Sequence, residues 1–235
     1  MGGTVSPAEV ARFDALAGRW WEPNGPMRAL HRMNPARVAW IVAQAARAFP
    51  GADGGRVLDV GCGAGLAAEA LARRGFDLLG IDAAPDAIAA AAAHAAGKGL
   101  PLAYRVAAPE DLLAEGTRFP IITALEVIEH VPDPALFLKT LAGLLEPGGL
   151  VVMSTLNRTK LSFAAAKLAA EYLLRWLPVG THDWRRFLTP TDLAAALRLA
   201  GLRVSDLTGL GLDPLGGQWR TCGATSVNYM MAARG

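Results

Sequence analysis

The sequence predicts an α/β fold in which a mostly parallel, seven-stranded sheet carries helices on both faces, with N-terminal helices ahead of it and a helical insertion after strand five. Three features point there. From residue 56 onward short apolar runs alternate with amphipathic segments, the sequence form of β-α-β units around a parallel sheet. The first of those runs passes directly into a glycine-rich turn, Gly61-Cys62-Gly63-Ala64-Gly65. No internal repeat or long low-complexity linker interrupts the pattern.

Taken in order, Ser6–Ala17 and the stretch from Asn34-Pro35 to Phe49 read as two helices preceding the sheet. Arg56–Val60 reads as the first strand, Leu66–Arg74 as a helix and Phe76–Ile81 as the second strand. Pro85–Ala96 is Ala-rich and follows a strand-like run, so it reads as helix. Leu102–Val106 and Ile121–Leu125 supply strands three and four, and Phe119-Pro120 ahead of the latter predicts a local departure in register. Asp133-Pro134 matches an N-cap with proline at the first helical position, and Pro147-Gly148-Gly149 stops that helix. Leu150–Ser154 is strand five. Thr189-Pro190 starts a helix to about Ala200, and Val204–Thr208 and Thr225–Ala232 are the last strands.

At 235 residues the chain is long enough for one domain with a substantial core and short for two. Residues 1–235 are therefore expected to form a single domain, with 1–50 as a helical cap and 157–187 as an inserted helical lid. The hydrophobic fraction is 52%, yet no uninterrupted apolar run reaches the roughly 18 residues of a membrane span. Residues 83–97 carry Asp86 and His94, and residues 161–174 carry Lys167 and Glu171. The start of the chain has no basic region followed by an apolar stretch, so a cytoplasmic location is expected. A formal charge of +2 gives no broad basic footprint, so no nucleic-acid partner is expected. Cys62 and Cys222 are too few for a disulfide framework.

The glycine turn lies between a strand and a helix, where missing side chains let backbone approach a ligand. Asp82 ends the second strand 21 positions after Gly61, close to the spacing of about 20 at which a carboxylate reaches ribose hydroxyls. It would otherwise N-cap the next helix. Dinucleotide sites favour G-x-G-x-x-G, but here the third position is Leu66, and the glycines fall at 61, 63 and 65. No Gly-Lys-Ser/Thr follows, which excludes a phosphate-cradling loop. The turn resembles the first motif of Rossmann-like class I methyltransferases, which implies S-adenosylmethionine as the ligand of Gly61, Gly63 and Asp82.

After strand four comes Leu125-Glu126-Val127-Ile128-Glu129-His130-Val131-Pro132-Asp133-Pro134, at the carboxyl edge where open α/β sheets place ligand-contacting groups. In a helical turn Glu126, Glu129 and His130 would share a face, and such donors suit Mg2+. Equally, Glu129 and His130 would only tie the loop to the next helix. A phenolic hydroxyl, with a pKa of about 10, needs a base or a metal to attack at neutral pH. His130 suits either role.

Four further segments narrow the resemblance. Arg19-Trp20-Trp21 with Leu30-His31-Arg32-Met33-Asn34-Pro35-Ala36-Arg37, Ser154-Thr155-Leu156-Asn157-Arg158, Gly180-Thr181-His182-Asp183-Trp184, and Val227-Asn228-Tyr229-Met230 are similar to the ubiquinone-biosynthesis O-methyltransferase family, in its order, from about Phe13 to the end. The resemblance implies a bifunctional enzyme that methylates catechol-type hydroxyls of 2-polyprenyl-6-hydroxyphenol and 3-demethylubiquinol. It implies Arg37, Gly61, Asp82 and Leu125 as S-adenosylmethionine positions, Mg2+ on Glu126, Glu129 and His130, and other enzymes of ubiquinone biosynthesis as partners.

Residues 160–179 mix Leu161, Phe163, Leu168, Tyr172, Trp176 and Leu177 with Lys160, Lys167 and Arg175. Such a helix either packs on the domain or lies in a bilayer interface with its cations on anionic lipid. A polyprenyl substrate favours peripheral membrane contact. His31, His182 and Trp20-Trp21 would line or close the substrate pocket or anchor loops, with His182 as an alternative base. Three other functions fit less well: a nicotinamide oxidoreductase, disfavoured by Leu66; a scaffold of a biosynthetic complex that binds S-adenosylmethionine and lipid, which has no use for Glu126, Glu129 and His130; and a methyltransferase for a soluble phenol, which has no use for the insertion.

Overall fold

The computed structural model describes residues 3–51, 54–163, 186–213 and 217–235. Within them the strands are buried in a two-sided alternation. Leu58, Ile122, Val151, Met153, Tyr229 and Met231 face one helical layer, while Val57, Ile121, Val152, Met230 and Ala232 face the other. That double burial is why the strands read as continuous apolar runs and not as alternating ones.

The strands are β1 Gly55–Val60, β2 Phe76–Asp82, β3 Leu102–Val106, β4 Phe119–Leu125, β5 Leu145–Leu156, β6 Arg203–Leu212, β7 Trp219–Cys222 and β8 Asn228–Arg234. They form a sheet in the order β3-β2-β1-β4-β5-β8-β6-β7. The pairs from β3 to β5 are parallel, and β8 runs antiparallel to both β5 and β6. The chain leaves β1 first toward β2 and later toward β4, so a crevice opens at the carboxyl ends of β1 and β4, where such sheets bind ligands.

The helices are α1 Pro7–Asp14, α2 Arg28–Ala48, α3 Leu66–Ala72, α4 Pro85–Ala95, α5 Pro109–Ala114, α6 Pro134–Leu144, α7 Lys160–Phe163 and α8 Pro190–Leu199, with a 3-10 turn at Ala17–Arg19. α6 and α8 begin as their sequences require: Asp133 caps the Leu136 amide at 2.9 Å and Thr189 caps that of Asp192 at 3.1 Å.

Several boundaries differ from the sequence reading. The second N-terminal helix does not begin at Asn34-Pro35; α2 starts at Arg28 and runs through Pro35. An internal proline costs roughly 3 kcal/mol. Burial of Met33, Val38 and Ile41 on one face, with the Asn34 side chain donating to the Leu66 carbonyl at 2.9 Å, offsets it. The sheet has eight strands among the described residues, not seven. β7 is a four-residue edge strand paired only to β6, too short to show a period. α5 is also new, a six-residue helix whose Asp111 carboxylate accepts the Ala108 amide at 2.8 Å. The register does shift between Phe119 and Ile121, because Pro120 lacks the amide a regular ladder needs. Of the expected lid, residues 164–185 lie outside the described residues.

Candidate active site

The glycine turn is built by backbone that other residues resist. Gly61, Gly63 and Gly65 have φ of +68°, +52° and +85°. A Cβ on Gly61 would stand 2.5 Å from Val127 Cγ2, and one on Gly63 2.2 Å from the Trp20 ring. Both motifs of the sequence therefore meet here: the turn after β1 packs on the loop after β4. Asp82, at the end of β2, ties the turn in place. Its Oδ2 accepts the Gly63 amide and its Oδ1 the Ala84 amide, each at 2.9 Å. Burial raises the Asp82 carboxyl and those amide bonds pull it back. It does not cap α4, whose N-cap position is Ala84.

Behind the turn lie buried charges whose hydrogen-bonding capacity is only partly met. Arg37 is buried in α2; its Nε and Nη1 make no hydrogen bond, and Glu126 Oε1 is 3.6 Å from Nη1. Asp59, in β1, accepts the Thr123 hydroxyl at 2.6 Å through Oδ1, while its Oδ2 has no partner. Burial pushes the Asp59 carboxyl up to about 6, against that bond and the Arg37 charge. A buried cation and a buried anion, each with unmet valence, match the carboxylate and ammonium of an amino acid. The donor set thus fits the methionine end of S-adenosylmethionine. Asp59 was not singled out from the sequence, where it reads as one residue of a buried strand.

Of Glu126, Glu129 and His130 only the two carboxyls come together, and His130 turns away from them to α1. The chain bends at Glu126 and turns at 128–130, and Glu126 has φ +57°, which breaks the helical phase that would align them. Each side chain has its own partner instead. Ser154 donates to Glu126 at 2.7 Å and Thr155 to Glu129 at 2.9 Å. His130 Nδ1 lies 2.9 Å from Glu9 Oε2. Burial raises the Glu129 carboxyl well above the usual range, and the Glu126 charge adds to it. Among the described residues no group of three His, Cys, Asp or Glu side chains is set to hold a metal, so as arranged these donors do not fit a three-ligand Mg2+ site.

The N-terminal cap closes the crevice. Trp21 Nε1 donates to the Ala64 carbonyl at 3.0 Å and its ring stacks on His94. His31 Nε2 pairs with the Trp20 carbonyl at 2.8 Å, an anchoring role. Between cap and sheet is a cavity of about 420 Å³ lined by residues including Glu9, Phe13, Gly61, Asp82, Leu125 and His130. Glu9 was missed in the sequence reading, since a lone Glu on an amphipathic helix carries no distinguishing signal. His182 lies outside the described residues.

A glycine turn, a strand-end carboxylate and a carboxyl-edge loop around one cavity define a methyltransferase domain, and the family model described as "Methyltransferase domain" matches residues 30–207. The ubiquinone biosynthesis O-methyltransferase of Azorhizobium caulinodans is 45% identical over 98% of this chain and 94% of its own length. That of Caulobacter vibrioides is 47% identical over 97% and 94%. The chain belongs to the ubiquinone biosynthesis O-methyltransferase family, whose members are S-adenosylmethionine-dependent. In fold it is similar to the magnesium protoporphyrin IX methyltransferase of Synechocystis, with a TM-score of 0.67 at 19% identity over 96% of this chain and 99% of that one.

Proposed function

We propose that the chain transfers a methyl group from S-adenosylmethionine to catechol-type hydroxyls of polyprenylated ubiquinone precursors, 2-polyprenyl-6-hydroxyphenol and 3-demethylubiquinol. The observation that carries this is one cavity lined together by the glycine turn, Asp82 and His130. When bound, S-adenosylmethionine supplies an electrophilic methyl group, with the C–S pair returning to sulfur. Arg37 and Asp59 hold its amino-acid end, Asp82 its ribose hydroxyls, and the apolar wall at Leu125 its adenosyl portion. His130 takes the phenolic proton as the oxygen attacks. Much of the acceleration comes from alignment within the closed cavity. A Mg2+ on Glu126, Glu129 and His130 would require the imidazole to swing toward the two carboxylates, and no step is routed through it. Titration calorimetry with S-adenosylmethionine and with a nicotinamide dinucleotide, followed by methylation of a short-chain demethylubiquinol analogue, tests the reading. Heat with the sulfonium alone and methylated product are expected; binding of the dinucleotide alone would refute it.

The polyprenyl tail places the reaction at a lipid surface. No helix among the described residues is long and apolar enough to cross a membrane. We infer peripheral contact through residues 160–179, supported by their mix of apolar and cationic side chains and by the lipid solubility of the substrate. Co-sedimentation is expected with anionic vesicles and not with neutral ones. Equal recovery in the supernatant with and without anionic lipid would count against it.

A further inference from the structure

An imidazole serves as a base only through the ring nitrogen that carries the lone pair, and its partner at the other nitrogen decides which that is. In this protein the partner comes from the cap. α1 presents Glu9 and Phe13, four residues apart and so on one helical face, and both touch the ring of His130. Glu9 Oε2 stands 2.9 Å from Nδ1, and Phe13 meets the ring edge-on at 5.3 Å between centroids and 86°. The helix that carries them is pinned at both ends. Before it, the Thr4 amide donates to Glu110 at 2.6 Å; at its C-terminal end, Asp14 accepts the Asp86 and Ala87 amides at 2.9 and 3.4 Å. Arg12 Nη1, 3.3 Å from Glu9 Oε2, steadies the carboxylate from the next turn.

A carboxylate only accepts. A neutral imidazole facing it therefore carries its proton on Nδ1 and its lone pair on Nε2. We infer that Glu9 is a positioning residue for methyl transfer, fixing His130 in the Nδ1–H tautomer so that Nε2 receives the phenolic proton. The inference rests on the reading of His130 as the base. It also makes the base dependent on closure, because the same cap sits on the glycine turn through Trp20 and Trp21. The proton leaves the phenol for Nε2 as the oxygen pair bonds the methyl carbon, and His130 later releases it to solvent.

The test uses the full chain with S-adenosylmethionine and the demethylubiquinol analogue, comparing wild type with Glu9→Ala, Glu9→Gln and His130→Ala. Imidazole 15N shifts of His130, assigned by their loss in His130→Ala, report the tautomer. Glu9→Ala is expected to lower kcat on the order of 10- to 100-fold, as loss of an orienting partner does elsewhere, with an unchanged KM for S-adenosylmethionine and a shift toward the Nε2–H tautomer. Glu9→Gln, whose amide oxygen still accepts from Nδ1–H, is expected to keep the tautomer and most of kcat. Native kcat in Glu9→Ala, a loss with the tautomer unchanged, or no rescue by Glu9→Gln overturns the inference. Native turnover in His130→Ala removes the base reading beneath it; an inactive His130→Ala beside an unimpaired Glu9→Ala removes this inference alone.

Discussion

His130→Ala is expected to lower kcat by about 10²- to 10⁴-fold, the usual contribution of a positioned general base, while S-adenosylmethionine binds as tightly as before. The separation follows from placement. The groups assigned to the methionine end, Arg37 and Asp59, sit on α2 and β1, and the carboxylate assigned to the ribose ends β2. His130 belongs to the loop after β4, lines the same cavity as Asp82, and pairs with Glu9 of α1. Removing the imidazole therefore leaves the cofactor groups in place. Single-turnover rates beside calorimetric affinities measure the two effects. A variant that keeps native turnover would move the base elsewhere, and one that loses cofactor affinity in proportion would make His130 a binding group.

Asp82→Asn is expected to weaken S-adenosylmethionine binding roughly 10- to 100-fold, about as much as Asp82→Ala, although it is nearly isosteric. Both carboxylate oxygens accept backbone amides, from Gly63 and Ala84. An amide side chain turns one of those acceptors into a donor aimed at an N–H, which leaves a buried donor unmet at a cost of about 1–3 kcal/mol. The position it disturbs is the glycine turn itself, and the negative charge on the ribose side is lost as well. Calorimetry on both variants checks this. Native affinity in Asp82→Asn would mean that the carboxylate only braces the loop and holds no ligand.

The glycine turn was legible from residues alone because its requirement is local. Positive φ at three nearby positions excludes side chains whatever the rest of the chain does. Asp82 was legible for a related reason, since a strand-end carboxylate at a fixed remove from such a turn has few places to go. The parallel strands β1 to β4 were legible because burial on two faces leaves unbroken apolar runs. Even the irregularity at Pro120 could be seen, as a missing amide spoils a ladder in any context.

What sequence spacing misjudged was the relation of Glu126, Glu129 and His130. A single left-handed residue at Glu126 rotates the following turn; Ser154 and Thr155 then hold Glu126 and Glu129 together on β5, while Glu9 draws His130 to α1. The same holds for α2, where packing carried a helix through Pro35, and for the buried Arg37 Nε and Asp59 Oδ2, which have no hydrogen-bond partner. Periodicity and turn chemistry depend on neighbours along the chain, and those parts of the protein were settled there. Which groups face one another across the cavity depends on residues as far apart as 9 and 130, and only packing brings such residues within hydrogen-bond distance.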